Sequence, residues 1–224
     1  MLTIIQDTRE HAEYRESRVS YFKSKGFNVE VDKLDIGDYM IKGKPEIVVD
    51  YKMSISEMIG NVQDKTISKT KIGKSVSKMC ENHGVSADDA KRIYETIIAD
   101  DLVVDVEGEL RTLCEKAGFE PLQCTYARNL YRAYRSRLHR LNVRAKKEGV
   151  KLFYLIANED KVTDFETLSR WRNPRLKFSP NAMTGERLAK SLQTMTDKYG
   201  CEFRFCTPEN QGEEILKLLE VENA

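Results

Sequence analysis

Two periods of apolar positions alternate along this chain, and the switches between them mark out its elements. "LTIIQD" (2–7) reads as a first strand, and "REHAEYRESRVSYFKSKG" (9–26) as the helix after it, stopped by Gly26. The alternation in "FNVEVDKL" (27–34) predicts a second strand. "DYMIKGKPEIVVDYK" (38–52) predicts two more, folded about Lys42-Gly43-Lys44-Pro45, the only turn chemistry in the stretch. "SISEMIG" (54–60) opens with a serine cap and predicts a short helix. Further on, "KLFYLIAN" (151–158) and "CEFRFC" (201–206) are apolar runs of strand length. An amphipathic helix, "TGERLAKSLQTMTDKYG" (184–200), lies between them, and "NQGEEILKLLEVEN" (210–223) predicts a last one. Strands alternating with helices at both ends of the chain indicate an α/β domain.

Residues 62–125 do not keep this rhythm. "SVSKMCENHGVSADDAKRIYETII" predicts two helices about Gly84, with Ser86 capping the second, and "LRTLCEKAGF" predicts another. The expected organisation is a discontinuous domain, 1–61 and 126–224, carrying a small, mainly helical insertion at 62–125. Two helices meeting near a glycine fit either a helix-turn-helix or a simple packing hairpin. From about Thr125 to Lys147 one longer helix is predicted. Its stripe of Leu130, Tyr134, Leu138, Leu141 and Ala145 would bury one face on the sheet.

Composition adds boundaries. With 40% hydrophobic and 33% charged residues in 224, the chain matches a soluble globular protein. No run reaches the length of a membrane span, and "MLTIIQDTRE" lacks the basic and apolar regions of a signal peptide. A cytosolic protein, or at least one kept in a reducing compartment, without a membrane partner, is the expectation. The sharpest zinc reading joins Cys80 and His83 to Cys114 and Cys124, but no CxxC supports it, and ordinary thiols are expected. Net charge is +1, yet Arg128, Arg132, Arg135, Arg137, Arg140, Arg144, Lys146, Lys147 and Lys151 face only Glu148 within their segment. That fits a polyanion-binding surface or a solvated helix face.

Candidate chemistry concentrates in "IVVDYKMS" (47–54). A strand that begins dry ends in Asp50 and Lys52, and an unpartnered buried charge is costly, so a pair placed there usually holds something. The same acid-x-lysine spacing recurs at Asp89/Lys91 on a helix and Glu159/Lys161 in a loop; only the first closes a predicted strand. A hairpin centred near Lys44 sets Asp38 opposite Asp50, with Cβ atoms about 5 Å apart on one face. Lys52 projects from that face as well. Two such carboxylates repel unless a cation lies between them, and an all-oxygen set suits Mg²⁺ or Mn²⁺.

"DTRE" (7–10), "LDIGDY" (34–39) and "VVDYK" (48–52), in this order, resemble the XPF-type branch of the PD-(D/E)xK, restriction-endonuclease-like, nucleases. "RSRLHRLNVRAKKEGVKLFYLIAN" is similar to the family's arginine-bearing helix and next core strand. "WRNPRL", "TGERLAKSLQTMTDKYGCEFRFC" and "PENQGEEILKLL" look like the phage and Gram-positive bacterial members. The resemblance covers about residues 1–61 and 126–220. It implies a central mixed sheet flanked by helices and a Mg²⁺- or Mn²⁺-dependent DNA endonuclease, acting in recombination, repair or branched-DNA processing. Asp38 and Asp50 would ligate the metal, helped by the Tyr51 main-chain carbonyl, and Lys52 matches the catalytic lysine. Asp7, Arg9 and Glu10 match the D-x-R-E as support or auxiliary catalytic contacts. Arg137 falls where the family places an arginine beside the site, and Arg135, Arg140 and Arg144 join it as DNA contacts. Asp50-Tyr51-Lys52 stands where eukaryotic members read E-R-K, and Ser56, with Glu57 adjacent, stands where they carry a further acid. A catalytically weak DNA-binding or assembly module on the same fold is therefore the competing expectation. Relatives commonly pair, so a homodimer is expected too. Among other residues, Trp171 reads as a buried anchor or a base-stacking platform, and His11 and His139 as bystanders.

Overall fold

The computed structural model describes residues 2–9, 12–64, 66–99 and 105–221, with side chains of the first helix described from Glu16 onward. In chain order the elements begin with β1 (Thr3–Asp7), α1 (Ala12–Ser24), β2 (Asn28–Asp32), β3 (Tyr39–Ile41), β4 (Lys44–Lys52) and α2 (Ile55–Val62). Five helices follow: α3 (Lys69–Asn82), α4 (Ala87–Ile98), α5 (Val106–Lys116), α6 (Pro121–Tyr134) and α7 (Arg137–Glu148). The chain then returns to β5 (Lys151–Ala157), α8 (Phe165–Arg170), α9 (Gly185–Tyr199), β6 (Glu202–Cys206) and α10 (Gln211–Leu218). Two units result, one of residues 1–63 with 144–224 and one of residues 64–143.

The first unit is an α/β domain with a six-stranded sheet ordered β2-β1-β3-β4-β5-β6. β3 runs antiparallel to β1 and β4, whereas the outer pairings β1–β2, β4–β5 and β5–β6 are parallel, so the sheet is mixed. Side-chain alternation sorts the central strands onto two faces. Val49 and Tyr51 of β4, with Phe153 and Leu155 of β5, join Phe22 of α1, Ile215 and Leu216 of α10 and Leu219 at its end in one core cluster. Val48, Asp50 and Lys52 therefore point to the opposite face, where α2 packs on β4 and β5.

The β3–β4 hairpin keeps the register expected from sequence near the site: Tyr39 faces Val49 and Met40 faces Val48, with the irregularity confined to the turn end. Just before β3, Gly37 has φ +64, and a Cβ there would lie 2.3 Å from Val48 Cγ1. Only glycine lets the chain cross so close to β4.

The second unit is helical. Ile72, Val76, Ile93, Ile97, Leu110 and Leu130 are among the residues that build its core. Gly84 (φ +63) ends the α3 segment, with the Val85 N–H reaching back to the Cys80 carbonyl at 3.0 Å, and Ser86 then caps α4. Where one helix was expected over 125–147, the chain forms α6 and α7. Arg135 is extended (φ −101, ψ 127), and Ser136 Oγ accepts the His139 N–H at 3.1 Å, which starts a new helix. The expected stripe is split accordingly, and Leu130 and Tyr134 serve the helical core rather than the sheet.

Cys80, Cys114 and Cys124 are free and buried in that same core. No group of three His, Cys, Asp or Glu side chains among the described residues is placed to hold a metal, so the zinc reading fails. Burial pushes the thiols of Cys114, Cys201 and Cys206 up to about 12. Among the described residues no helix is long and apolar enough to cross a membrane.

Two outcomes follow from this packing. Gly37→Ala should lose about 2–4 kcal/mol, read as a lower urea midpoint at unchanged slope. All five cysteines should resist a thiol reagent at pH 8 in the folded protein and react together once denaturant unfolds it.

Candidate active site

Asp38, Asp50 and Lys52 meet on the face of the sheet that carries α2. Asp38 precedes β3 and is fixed from both sides: its N–H donates to the Val49 carbonyl at 2.8 Å, and its carbonyl accepts the Asp7 N–H at 2.8 Å. Its Oδ2 accepts the Tyr51 N–H at 2.8 Å, which ties the carboxylate to the end of β4. The N–H and C=O of one strand residue leave the same edge, so the Tyr51 carbonyl is turned toward Asp38 as well. The Lys52 ammonium forms an ion pair with Asp50 Oδ1. Among the described residues no neutral donor hydrogen-bonds to that oxygen.

The burial is severe: Asp38 is 8%, Asp50 1% and Lys52 4% exposed. Burial alone would pull the Lys52 ammonium down, but Asp50, then Asp38 and Glu57 outweigh it and hold its pKa above the ordinary lysine value. Lys52 is thus cationic at neutral pH.

Glu57 is a member that the sequence reading noted only as a neighbour of Ser56. Its Oε1 lies 4.0 Å from Lys52 Nζ, and its Oε2 accepts the Met53 N–H at 2.8 Å. The first turn of α2, capped by Ser54, delivers it there. A glutamate three residues after a serine cap is a legible signal for this position. Tyr154, buried, pairs in register with Asp50 on β5 and stacks on Phe203 at 5.0 Å. No motif pointed to it.

Asp7 and Arg9 act one layer back. Asp7 is fully buried; its Oδ1 accepts the Arg9 N–H and Nε–H at 2.7 Å each, and its Oδ2 accepts the Leu34 N–H at 2.9 Å. Arg9 also donates to the Leu34 carbonyl at 2.6 Å. Together they pin the 33–38 loop that presents Asp38. Glu10 and His11 lie outside the described residues.

The four expected arginine contacts differ in role. Arg144 spans Glu148 and Asp35, at 2.8 Å each, and so restrains the same loop. Arg135 donates to the Ile98 and Ala99 carbonyls at 2.9 and 2.5 Å, closing the end of α4. Arg140 Nε reaches the Arg135 carbonyl at 3.4 Å. Arg137 is exposed in the helical unit, where its main-chain N–H donates to Asp64 Oδ2 at 3.1 Å. Trp171 is half-buried, its indole N–H donating to Asp160 Oδ2 at 2.7 Å.

On the far face, Arg18 is 1% exposed, a residue the sequence reading did not single out. Its Nε donates to the Tyr39 hydroxyl at 2.6 Å, and its guanidinium lies 4.3 Å from the Tyr51 ring centroid. It therefore braces from behind the two tyrosines that follow Asp38 and Asp50.

As a donor set, two carboxylates and a carbonyl oxygen suit a small hard cation. Mg²⁺ is commonly held by one or two carboxylates with water and phosphate completing its shell, whereas a structural zinc needs four protein ligands.

Burial raises the Asp7 pKa, but the Arg9 guanidinium and the Arg9 and Leu34 N–H groups outweigh it and hold it below the ordinary carboxylate value. Its contribution to stability is therefore complete above the unfolded pKa of about 3.9 and lost as pH falls through the lower folded value. Denaturant midpoints should drop as acid is added below about pH 4. Asp7→Asn should cost about 1–3 kcal/mol at neutral pH and flatten that acid limb.

No protein-family model matches the chain, and no curated protein does. Among solved structures it is similar to XPF from Aeropyrum pernix, at 14% identity and a TM-score of 0.45, over 98% of this chain and 64% of that one. The same XPF in complex with DNA gives 13% identity and a TM-score of 0.43, over 99% of this chain and 64% of that one. The chain thus spans less than two thirds of the length of both.

Proposed function

We propose that this protein is a metal-dependent DNA endonuclease that hydrolyses phosphodiester bonds, selective for DNA structure and used in recombination, repair or branched-DNA processing. One observation carries the reading: two carboxylates and a lysine ammonium, from β4 and from the residue just before β3, converge at the end of β4 and are nearly removed from water. Such an arrangement is expensive to keep without a task.

Asp38 and Asp50 would hold Mg²⁺ or Mn²⁺, with the Tyr51 carbonyl beside them. When bound, such an ion supplies Lewis-acid polarisation of a phosphoryl oxygen and an acidified water. The chain's own residues do the rest. The Tyr51 N–H fixes the rotamer of Asp38. Lys52, cationic and hemmed in by three carboxylates, stabilises negative charge that builds on the phosphate oxygens and orients the attacking nucleophile. Glu57, 4.0 Å from the lysine Nζ, limits its swing as well. An expected phage or mobile-element setting, and a homodimer, belong to the same proposal.

The depth of the site favours a second reading. With Asp50 at 1% and Lys52 at 4% exposure, a phosphodiester reaches them only if neighbouring side chains move, and Ser56 supplies no acid. A DNA-binding or assembly module with weak catalysis fits that burial.

Purified protein incubated with linear, flapped and four-way DNA should cleave with Mg²⁺ or Mn²⁺ and not with EDTA. Asp50→Asn and Lys52→Ala should each lower the single-turnover rate by at least about 10²-fold, with folding checked by circular dichroism. Cleavage that survives both substitutions rules out this centre, and inert wild type on every substrate favours the binding module.

A further inference from the structure

Within the helical unit a groove of about 610 Å³ lies between α3 and α6. One wall carries Lys71, Lys74 and Lys78, which are exposed and follow a single face of α3. At 1.5 Å rise per residue that row is about 10 Å long. The other wall carries Leu122 and Tyr126, one turn apart on α6 and 77% and 45% exposed. His83 lines the groove as well, its ring edge-on to Phe119 with centroids 5.7 Å apart. Among the described residues no carboxylate lines the groove, and none of them forms an ion pair with Lys71, Lys74 or Lys78.

A lysine row by itself is a solvated helix face. Here the opposite face of α3, with Ile72, Val76, Met79 and Cys80, is spent on the core. The lysines instead border two large apolar side chains that the fold leaves uncovered. Cations along one wall and an exposed ring and leucine along the other match a ligand with regularly spaced anions and flat apolar faces. Duplex DNA keeps its bases inside the stack and offers this wall only sugar and phosphate. A single strand offers both, with successive phosphates for the lysines and an unstacked base for Tyr126.

We propose that the α3–α6 groove binds a single nucleic-acid strand, with Lys71, Lys74 and Lys78 on the backbone and Tyr126 and Leu122 under the bases. The choice of nucleic acid as the polyanion rests on the nuclease reading. The groove would give the helical unit the work of holding a displaced or unpaired segment of the substrate.

The test uses the full chain in EDTA, with fluorescence anisotropy of labelled oligo-dT and oligo-rU, because the groove as proposed contacts phosphates and base faces that a DNA and an RNA strand share. Polyphosphate, poly-glutamate and thymidine monophosphate serve as competitors. Both oligomers should bind. Lys71→Gln/Lys74→Gln/Lys78→Gln should weaken binding at least ten-fold and reduce the slope of log K against log salt by about 2. Tyr126→Ala should weaken it about ten-fold, and Tyr126→Phe should not. Circular dichroism melts show whether each variant is folded, and photocrosslinking of a 5-iodouracil oligonucleotide should label Tyr126 in the wild type. The proposal is overturned if the lysine and tyrosine variants, folded, bind like wild type. It is equally overturned if polyphosphate, poly-glutamate or the mononucleotide competes as well as the oligomer. Cleavage by wild type with variant-insensitive strand binding defeats the groove alone. Groove-dependent binding without cleavage in Mg²⁺ or Mn²⁺ defeats the nuclease reading alone.

Discussion

The Lys52 ammonium, held in the interior by Asp50 with Asp38 and Glu57 near it, is the constraint around which the α/β unit is organised. Taking an ammonium and a carboxylate out of water costs several kcal/mol per ion even after relaxation. The cost is met only while the charges face one another and the remaining oxygens find donors. That condition fixes the register of β4. A slip of one residue would turn Lys52 and Asp50 toward Phe22, Ile215 and Leu216, away from Asp38 and Glu57. The geometry of the site and the uniqueness of the fold are thus one requirement.

Much of what surrounds the cluster serves to hold Asp38 at the right distance from β4. Asp7 and Arg9 anchor the loop before it, Arg144 restrains that loop through Asp35, and Gly37 lets the chain pass against Val48. Arg18 works from the other face by fixing Tyr39 and Tyr51. Within the "DTRE" segment, Asp7 and Arg9 hydrogen-bond to each other and to Leu34. Basic residues divide between two uses. Arg135 and Arg140 close helix ends, whereas Lys71, Lys74 and Lys78 stay turned to solvent. Charge along a sequence does not distinguish the two uses, because both place a cation on the polar side of an amphipathic helix.

The strands and most helices were legible because their signals are local. Period-two alternation, the turn at Gly43, and the caps at Ser54, Ser86 and Thr184 each need only a few neighbouring residues. Even the pairing of Asp38 with the end of β4 was legible, since a short hairpin leaves little freedom in register. The break between α6 and α7 was not. The apolar stripe runs through it, and Ser136 becomes a cap only because Arg135 turns extended to donate to the end of α4, a partner 36 residues earlier.

By itself, then, the sequence determined the α/β pattern, the β3–β4 register and the trio Asp38, Asp50 and Lys52, all of which depend on spacing along a few residues of chain. Tertiary structure alone decided that Tyr154 borders that trio, that Arg18 lies buried behind it, and that three lysines share a groove with Tyr126. Those are matters of which distant elements pack together. Packing is set by the summed burial of many side chains, and no short stretch of sequence records that sum.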